Sequence, residues 1–277
     1  MTEYLCVTCG TQYPEQDSEQ NPDPQAPPTH CPICEDERQY VPETGQKWTT
    51  SSQLKARHSL KRTEHFSGLH SFEITPRAAI GQRAFFLETP HGNILWDCLA
   101  ILDQPTMDWI KSRGGLTAIA ISHPHYYTAM SDWSDAFDHP PIYLHRNDAQ
   151  WVQKPHPAIN HWTGNSLTLT PDVTLIKCGG HFSGGTVLHW RHNKDFLFTG
   201  DIMQVVADRK HVSFMRSYPN YIPLPASKVR EIGNSVASYE FDTVYGAFDG
   251  RTIGKDGKHT VERSVTRYIN ALTDELL

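Results

Sequence analysis

Between Leu116 and Ile121 the chain reads Leu-Thr-Ala-Ile-Ala-Ile, apolar at almost every position rather than at alternate ones. Such a run predicts a short strand covered on both faces. Upstream, Ala84-Phe-Phe-Leu87 and Ile94-Leu-Trp96 flank the turn Thr-Pro-His-Gly-Asn, the pattern of a β-hairpin. Thr106 stands where it would cap a short helix with Met107 and Ile110 on one face, and Gly114-Gly115 would end it. Met130, Trp133 and Phe137 recur at helical spacing and read as a core stripe. Ile142–Leu144 predicts a strand, and Asn147 a cap for a helix running through Trp151 and Val152. Four further strands are expected near 167–169, 173–176, 186–190 and 196–198, parted by Gly, Pro, Asn and Lys turns. Ala226–Ser238 has helical period with Val229, Ile232 and Val236 on one side, and Phe241–Tyr245 reads as a final strand. Thr260 is the expected cap of a last helix whose core face carries Val261, Val265, Tyr268, Ile269 and Leu272. The order predicts two sheets covered outside by helices, an α+β protein.

Composition changes this picture at the N-terminus. Cys6-Val-Thr-Cys9 and Cys31-Pro-Ile-Cys34 are two CxxC knuckles at a separation just beyond the usual ribbon range. Each knuckle puts two thiolates on one side of a tight turn, and two knuckles close a tetrahedron with no open position, the signature of structural zinc. The Gln, Pro, Asp and Glu between Thr11 and His30 cannot bury a core and predict a solvated loop. Residues 1–45 are therefore read as a small zinc ribbon, the polar stretch 46–65 as a connector, and 66–277 as the main domain. A chain of 277 residues with 38% hydrophobic content has room for that domain plus an appendage. A net charge of −6 without a basic block disfavours nucleic acid as a partner. No apolar run approaches the length of a membrane span, and Met1–Val7 lacks the features of a signal peptide. With cysteines paired as CxxC rather than as a disulfide framework, a cytoplasmic location is expected, with no membrane partner.

The candidate chemistry lies at strand ends. Ser122-His-Pro-His-Tyr-Tyr127 follows the buried run directly, and Pro124 holds the turn so that two imidazoles can face one point. Cys-Gly-Gly-His-Phe-Ser-Gly-Gly surrounds His181, and Phe-Thr-Gly-Asp leads to Asp201. Three histidines and a carboxylate at such positions form a plausible ligand set for zinc or iron.

These motifs, in this order, resemble the metallo-β-lactamase-fold superfamily over roughly 66–277. Leu95-Trp-Asp97 is similar to the family's early strand ending in Asp. Ser122–Thr128 stands at its H-x-H-x-D-H motif, Gly179–Gly185 at its Gly-His segment, and Thr199-Gly-Asp201 at its bridging-aspartate motif. The resemblance implies a four-layer αββα sandwich preceded by the small ribbon. It also implies that His123, His125, His181 and Asp201 hold one metal. The groups that would hold a second metal are missing: Tyr127 and Thr128 replace the Asp and third His, and no His stands near Gly246-Ala-Phe248. One zinc or iron is thus expected at this site, besides the zinc of Cys6, Cys9, Cys31 and Cys34.

The function so implied is a mononuclear metal-dependent hydrolase, in which a metal-activated water attacks an ester, thioester, lactone, amide or phosphoester. Asp201 and Tyr127 are the catalytic candidates, Asp201 as ligand or proton acceptor and Tyr127 as donor to a developing oxyanion. Tyr126 and Arg251 are candidates for contact with a small-molecule substrate. Met203–Tyr221 is read as a wall of the substrate pocket. A mononuclear iron oxidoreductase similar to the persulfide dioxygenases, and a non-catalytic metal-binding scaffold, are the two competing readings. A homo-oligomer, with the ribbon at its interface, is also open.

Overall fold

The computed structural model describes residues 3–15 and 26–273. Part of the expected solvated loop, residues 16–25, lies outside the described residues, as do the last four residues of the main domain. The chain divides into two compact units, Met1–Tyr143 with Gln150–Asn160, and Leu144–Ala149 with His161–Leu277.

The first unit opens on a three-stranded sheet in the order Gln12–Tyr13, Tyr4–Cys6, Trp48–Thr49, with a helical turn at Pro32–Glu35. Its interior is the four cysteines with Tyr13 and Ile33, against which Trp48, Ile80 and Trp151 pack. The following sheet has seven strands, ordered in space from Ile159–Trp162 through Ile142–His145, Ala118–Ala120, Gly92–Trp96, Arg83–Thr89 and Leu69–Thr75 to Ser59–Phe66. The hairpin register Phe85↔Trp96 and Phe86↔Leu95 is antiparallel, and the buried run Ala118–Ala120 lies parallel to Ile94–Trp96.

Two elements depart from expectation for clear reasons. The strand Ser59–Phe66 begins inside the stretch read as a polar connector. It is the last strand of its sheet and half exposed, with Lys61, Arg62 and Glu64 among its exposed residues, while its backbone pairs with Leu69–Thr75 apart from a register shift between Glu64 and Phe66. Charged side chains are the usual device on such an edge, and they hide the apolar signal of a strand. Asp103, not Thr106, caps the helix Gln104–Ser112, its carboxylate accepting the Thr106 amide. The Met130–Asp135 helix does bury Met130 and Trp133, and Phe137 is buried in the turn beyond it.

In the second unit a six-stranded sheet runs Ser166–Thr170, Val173–Lys177, Thr186–Trp190, Phe196–Phe198, Thr243–Tyr245, Thr252–Ile253. Phe196–Phe198 and Thr243–Tyr245 are parallel, so a crossover must link them, and the helix Ala226–Val236 lies on it. Val229, Ile232 and Val236 of that helix enter one core with Ile176, Val187, Leu197, Val244 and Val261. The last helix spans Gly257–Leu272 and starts three residues before the expected cap, so Thr260 is a buried position within its first turn. Val265, Tyr268 and Ile269 pack on the core as expected, whereas Leu272 is exposed. The helix expected after Asn147 is a 3-10 segment, Arg146–Trp151. Among the described residues no helix is long and apolar enough to cross a membrane.

Candidate metal centre

The His-Pro-His turn is built from its neighbours in sequence. Ala118–Ala120 ends, the chain bends at Ser122, His123 is extended, and Pro124 starts a single 3-10 turn through Tyr126. Proline suits the first position because its fixed φ is already helical and its absent N–H would have no partner there. The turn closes with the Tyr126 amide donating to the His123 carbonyl at 3.0 Å. His123 and His125 thereby lie with ring centroids 5.2 Å apart at 73°.

A buried carboxylate fixes this turn. Asp97, immediately after the strand ending at Trp96, has φ +62° and accepts the Ser122 amide at 2.7 Å. Ser122 Oγ in turn lies 2.8 Å from His123 Nδ1. Hydrogen-bond partners of this kind set the tautomer and the aim of a ligating imidazole. On the other side Tyr126 packs against His123, with centroids 4.3 Å apart.

His181 stands in a loop whose shape depends on glycine. Gly180 has φ +81°, and a Cβ there would lie 2.7 Å from Ile232 Cδ1. The Gly184 amide donates to the buried Asp148 carboxylate at 2.7 Å, which holds the far end of the loop. His181 Nδ1 is 3.1 Å from the Met215 carbonyl. A carbonyl only accepts, so Nδ1 carries the hydrogen and Nε2 carries the lone pair. Asp201 follows Phe196–Phe198 after Thr199, whose amide donates to the Tyr245 carbonyl. The Tyr218 hydroxyl donates to the carbonyls of Asp201 and Ser213. Burial, reinforced by the Asp201 charge, pushes that phenol well above its ordinary pKa, so it remains a donor. Tyr218 lies within the stretch 203–221 read from the sequence as a pocket wall; its ring is 5.8 Å from His181.

His123 and His125 of the first unit are buried, as are His181 and Asp201 of the second. Three neutral imidazoles and one carboxylate suit zinc or iron, and the hydrogen-bonded Nδ1 of His181 leaves the correct nitrogen for it. The donor set therefore fits a transition-metal ion.

The four cysteines fit a second one. All are buried and none is in a disulfide. The Cys6–Cys34 and Cys9–Cys31 sulfur separations are 3.6 and 3.7 Å. A tetrahedron with zinc–sulfur bonds of about 2.3 Å has edges of roughly 3.8 Å. Gln46 Nε2 donates to Cys6 Sγ and the Tyr13 hydroxyl to Cys31 Sγ, each at 3.0 Å. Neither partner was singled out from sequence, because spacing reveals ligands and not the groups behind them. A third cluster, Asp135, His139 and His156, lies nearer the surface. There His156 Nδ1 accepts the Ala158 amide, which fixes its hydrogen on Nε2 facing Asp135; this is a hydrogen-bonded triad.

Of the other sequence candidates, Tyr126 and Tyr127 are buried in the turn itself. Arg251 directly precedes the strand Thr252–Ile253, its carbonyl accepting the Gly246 amide. Gly246-Ala247-Phe248 follows Thr243–Tyr245 directly and offers no ligand. Cys178 belongs to the apolar core, and burial pushes its thiol up to about 12. His145 and His189 bond to the carbonyls of Gly164 and Glu240.

No family model matches the chain. Among solved structures it resembles the DIM-1 metallo-β-lactamase, with a TM-score of 0.59 at 16% identity over 77% of this chain and 98% of that one. It likewise resembles the metallo-β-lactamase FIM-1 from Pseudomonas aeruginosa in its mono-zinc form, with a TM-score of 0.55 at 13% identity over 75% and 95% of the two chains. The chain is thus a metallo-β-lactamase-fold protein carrying an N-terminal four-cysteine cluster. It is 45% identical over 284 aligned residues to the uncharacterized protein YmaE of Bacillus subtilis, covering 100% of this chain and 99% of that protein, and it belongs to the same family.

Proposed function

We propose that the chain is a metal-dependent hydrolase acting on a small-molecule substrate through one metal ion held by His123, His125, His181 and Asp201. The observation that carries this reading is that each unit buries a pair of these donors, with His123 and His125 ring centroids 5.2 Å apart and His181 held through Nδ1 so that Nε2 is left for an ion. A buried carboxylate is costly without a cation, and one dication bound by it and three neutral imidazoles would leave a net charge of +1 on the set. Such an ion supplies an activated water and polarises the bond to be cleaved. FIM-1, a protein of the same fold, has been crystallised in a mono-zinc form, which supports a single-ion arrangement here.

The residues around the ion have separable duties. Asp97 and Ser122 aim His123, while Met215 and Tyr218 hold the His181 and Asp201 segments. We assign Asp201 as ligand and proton acceptor. Tyr127, in the same turn as His125, is the hydrogen-bond donor to the oxyanion. Tyr126 and Arg251 are assigned to substrate contact. Zinc in the four-cysteine cluster is assigned a structural role.

The test is hydrolysis of aryl esters, thioesters, lactones, amides and phosphodiesters by metal-loaded protein, with His181→Ala and Asp201→Ala as controls. Turnover of one class that both substitutions abolish is expected. No turnover of any class by a metal-loaded site would overturn the reading. So would stoichiometric iron with oxygen consumed on a persulfide substrate.

A further inference from the structure

The ribbon touches the segment that carries two of the proposed ligands, and this contact gives it a role beyond being a separate zinc module. Gln12 lies three residues past Cys9, on the strand that pairs with Tyr4–Cys6. It is buried, which is unusual for a polar residue in so small a sheet. Its amide donates to the Thr128 carbonyl at 3.1 Å, only three residues past His125. Its side-chain Nε2 donates to Asp132 Oδ1 at 2.8 Å and to Glu3 Oε2 at 2.6 Å. Lys154 Nζ closes the network, 2.7 Å from Glu3 and 3.6 Å from Asp132. Thr128 itself has φ +36°, a conformation that a β-branched residue holds only when its surroundings impose it. The ribbon approaches closely enough that a Cβ on Gly10 would lie 2.9 Å from Ala79 Cβ and 3.5 Å from Thr128 Cγ2.

The ribbon's own order depends on its metal. Among the described residues its buried cluster holds, apart from the cysteines, only Tyr13 and Ile33, with Trp48, Ile80 and Trp151 packed against it, a small apolar surface for a module of this size. Tyr13, next to Gln12, donates to Cys31 Sγ. A continuous line of bonds therefore runs from the cysteine cluster through Tyr13 and Gln12 to Thr128, and along the chain to His125.

We propose that Gln12 is a positioning residue for the His123–His125 turn, and that the four-cysteine cluster, when metal-filled, holds that turn in ligating shape. The consequence for metal affinity rests on the hydrolase reading above, whereas the consequence for the turn's rigidity does not. The ribbon is then an obligatory part of the metal centre, and stripping its ion loosens a site that it does not itself ligate.

The test uses full-length protein and the variants Gln12→Ala and Cys31→Ser, with zinc as the probe. Metal content is measured after dialysis against graded chelator, and hydrogen exchange is followed across 123–132. Gln12→Ala, which removes the side-chain bonds to Asp132 and Glu3 but keeps the backbone bond to Thr128, is expected to keep the ribbon zinc, to weaken the other zinc by about tenfold, at the low end for groups behind a ligand, and to speed exchange at 126–130. Cys31→Ser is expected to lose the ribbon zinc and to show at least the same two effects. Unchanged exchange in both variants, or unchanged affinity of the second zinc, would overturn the proposal. If unmodified protein takes up only the ribbon zinc, the hydrolase reading fails; exchange at 126–130 then decides this proposal by itself.

Discussion

Replacing Asp97 with alanine removes the group that ties the end of one strand to the start of the His-Pro-His turn. The Asp97 carboxylate is buried and accepts the Ser122 amide at 2.7 Å. A hydrogen bond to a charged acceptor contributes about 1.5–3 kcal/mol, and its loss also leaves the Ser122 amide buried without that acceptor. Alanine must in addition adopt φ +62°, at a cost of roughly 1–2 kcal/mol. Together these give a stability loss of about 2.5–5 kcal/mol. Asparagine at this position retains a carbonyl acceptor and tolerates the left-handed conformation, so Asp97→Asn is expected to lose only about 1 kcal/mol. The same substitution pair separates aim from fold. With Ser122 displaced, His123 Nδ1 loses its bond to Ser122 Oγ, and metal affinity at the histidine site should fall by about 10–100-fold in Asp97→Ala. Urea denaturation reads the first quantity and chelator competition the second, with the four-cysteine zinc as internal reference. An Asp97→Ala protein with unchanged urea midpoint and unchanged site affinity would refute this chain of reasoning. So would loss of both metals in parallel, which would mean general unfolding.

Two other expectations use different handles. Gly180→Ala forces a side chain into the left-handed region and against Ile232 Cδ1 at 2.7 Å, so it should destabilise by about 2–4 kcal/mol and weaken metal binding through His181. Gly254→Ala, with nothing within 4 Å, is the control and should leave the melting temperature unchanged; equal melting of the two variants would contradict the argument. Burial holds the His189 pKa below its ordinary value of 6.5, as it does for His70, His145 and His161. A lowered histidine pKa means the folded state binds the proton less readily than the unfolded chain. Stability is then fully present above about pH 6.5 and is lost as pH falls below it, by at most about 1.4 kcal/mol per pH unit for each histidine. His189→Gln should make the acid limb of the urea midpoint shallower, and a midpoint that stays flat from pH 7.5 to 5.5 in the parent would contradict this.

What the sequence made legible follows from the range of the forces involved. The buried run ending at Ile121, the hairpin around Gly92 and the helix carrying Val229, Ile232 and Val236 all bury apolar side chains at their period, so pattern alone reveals them. The strand Ser59–Phe66 was hidden because an edge strand is specified by backbone pairing, and its side chains are polar for solubility. Asp103 was missed as a helix cap because Thr106 is an equally good capping residue in isolation, and only the observed backbone distinguishes them. The candidate ligands were visible through the CxxC and His-Pro-His spacings and, for His181 and Asp201, through the Gly-rich and Thr-Gly-Asp motifs around them. Asp97, Tyr218, Gln46 and Gln12 were not assigned as supports, because each acts across a long separation in sequence and resembles an ordinary polar or aromatic residue until folded.

The central claim is that three imidazoles and one carboxylate hold a single ion, apart from the ion of the four cysteines. Elemental analysis of purified full-length protein beside its Asp201→Ala variant tests it most directly. Two metal ions per chain in the parent and one in the variant, with the zinc of Cys6, Cys9, Cys31 and Cys34 retained, is the predicted result. One ion in both proteins, or a third ion in the parent that survives the substitution, would contradict it.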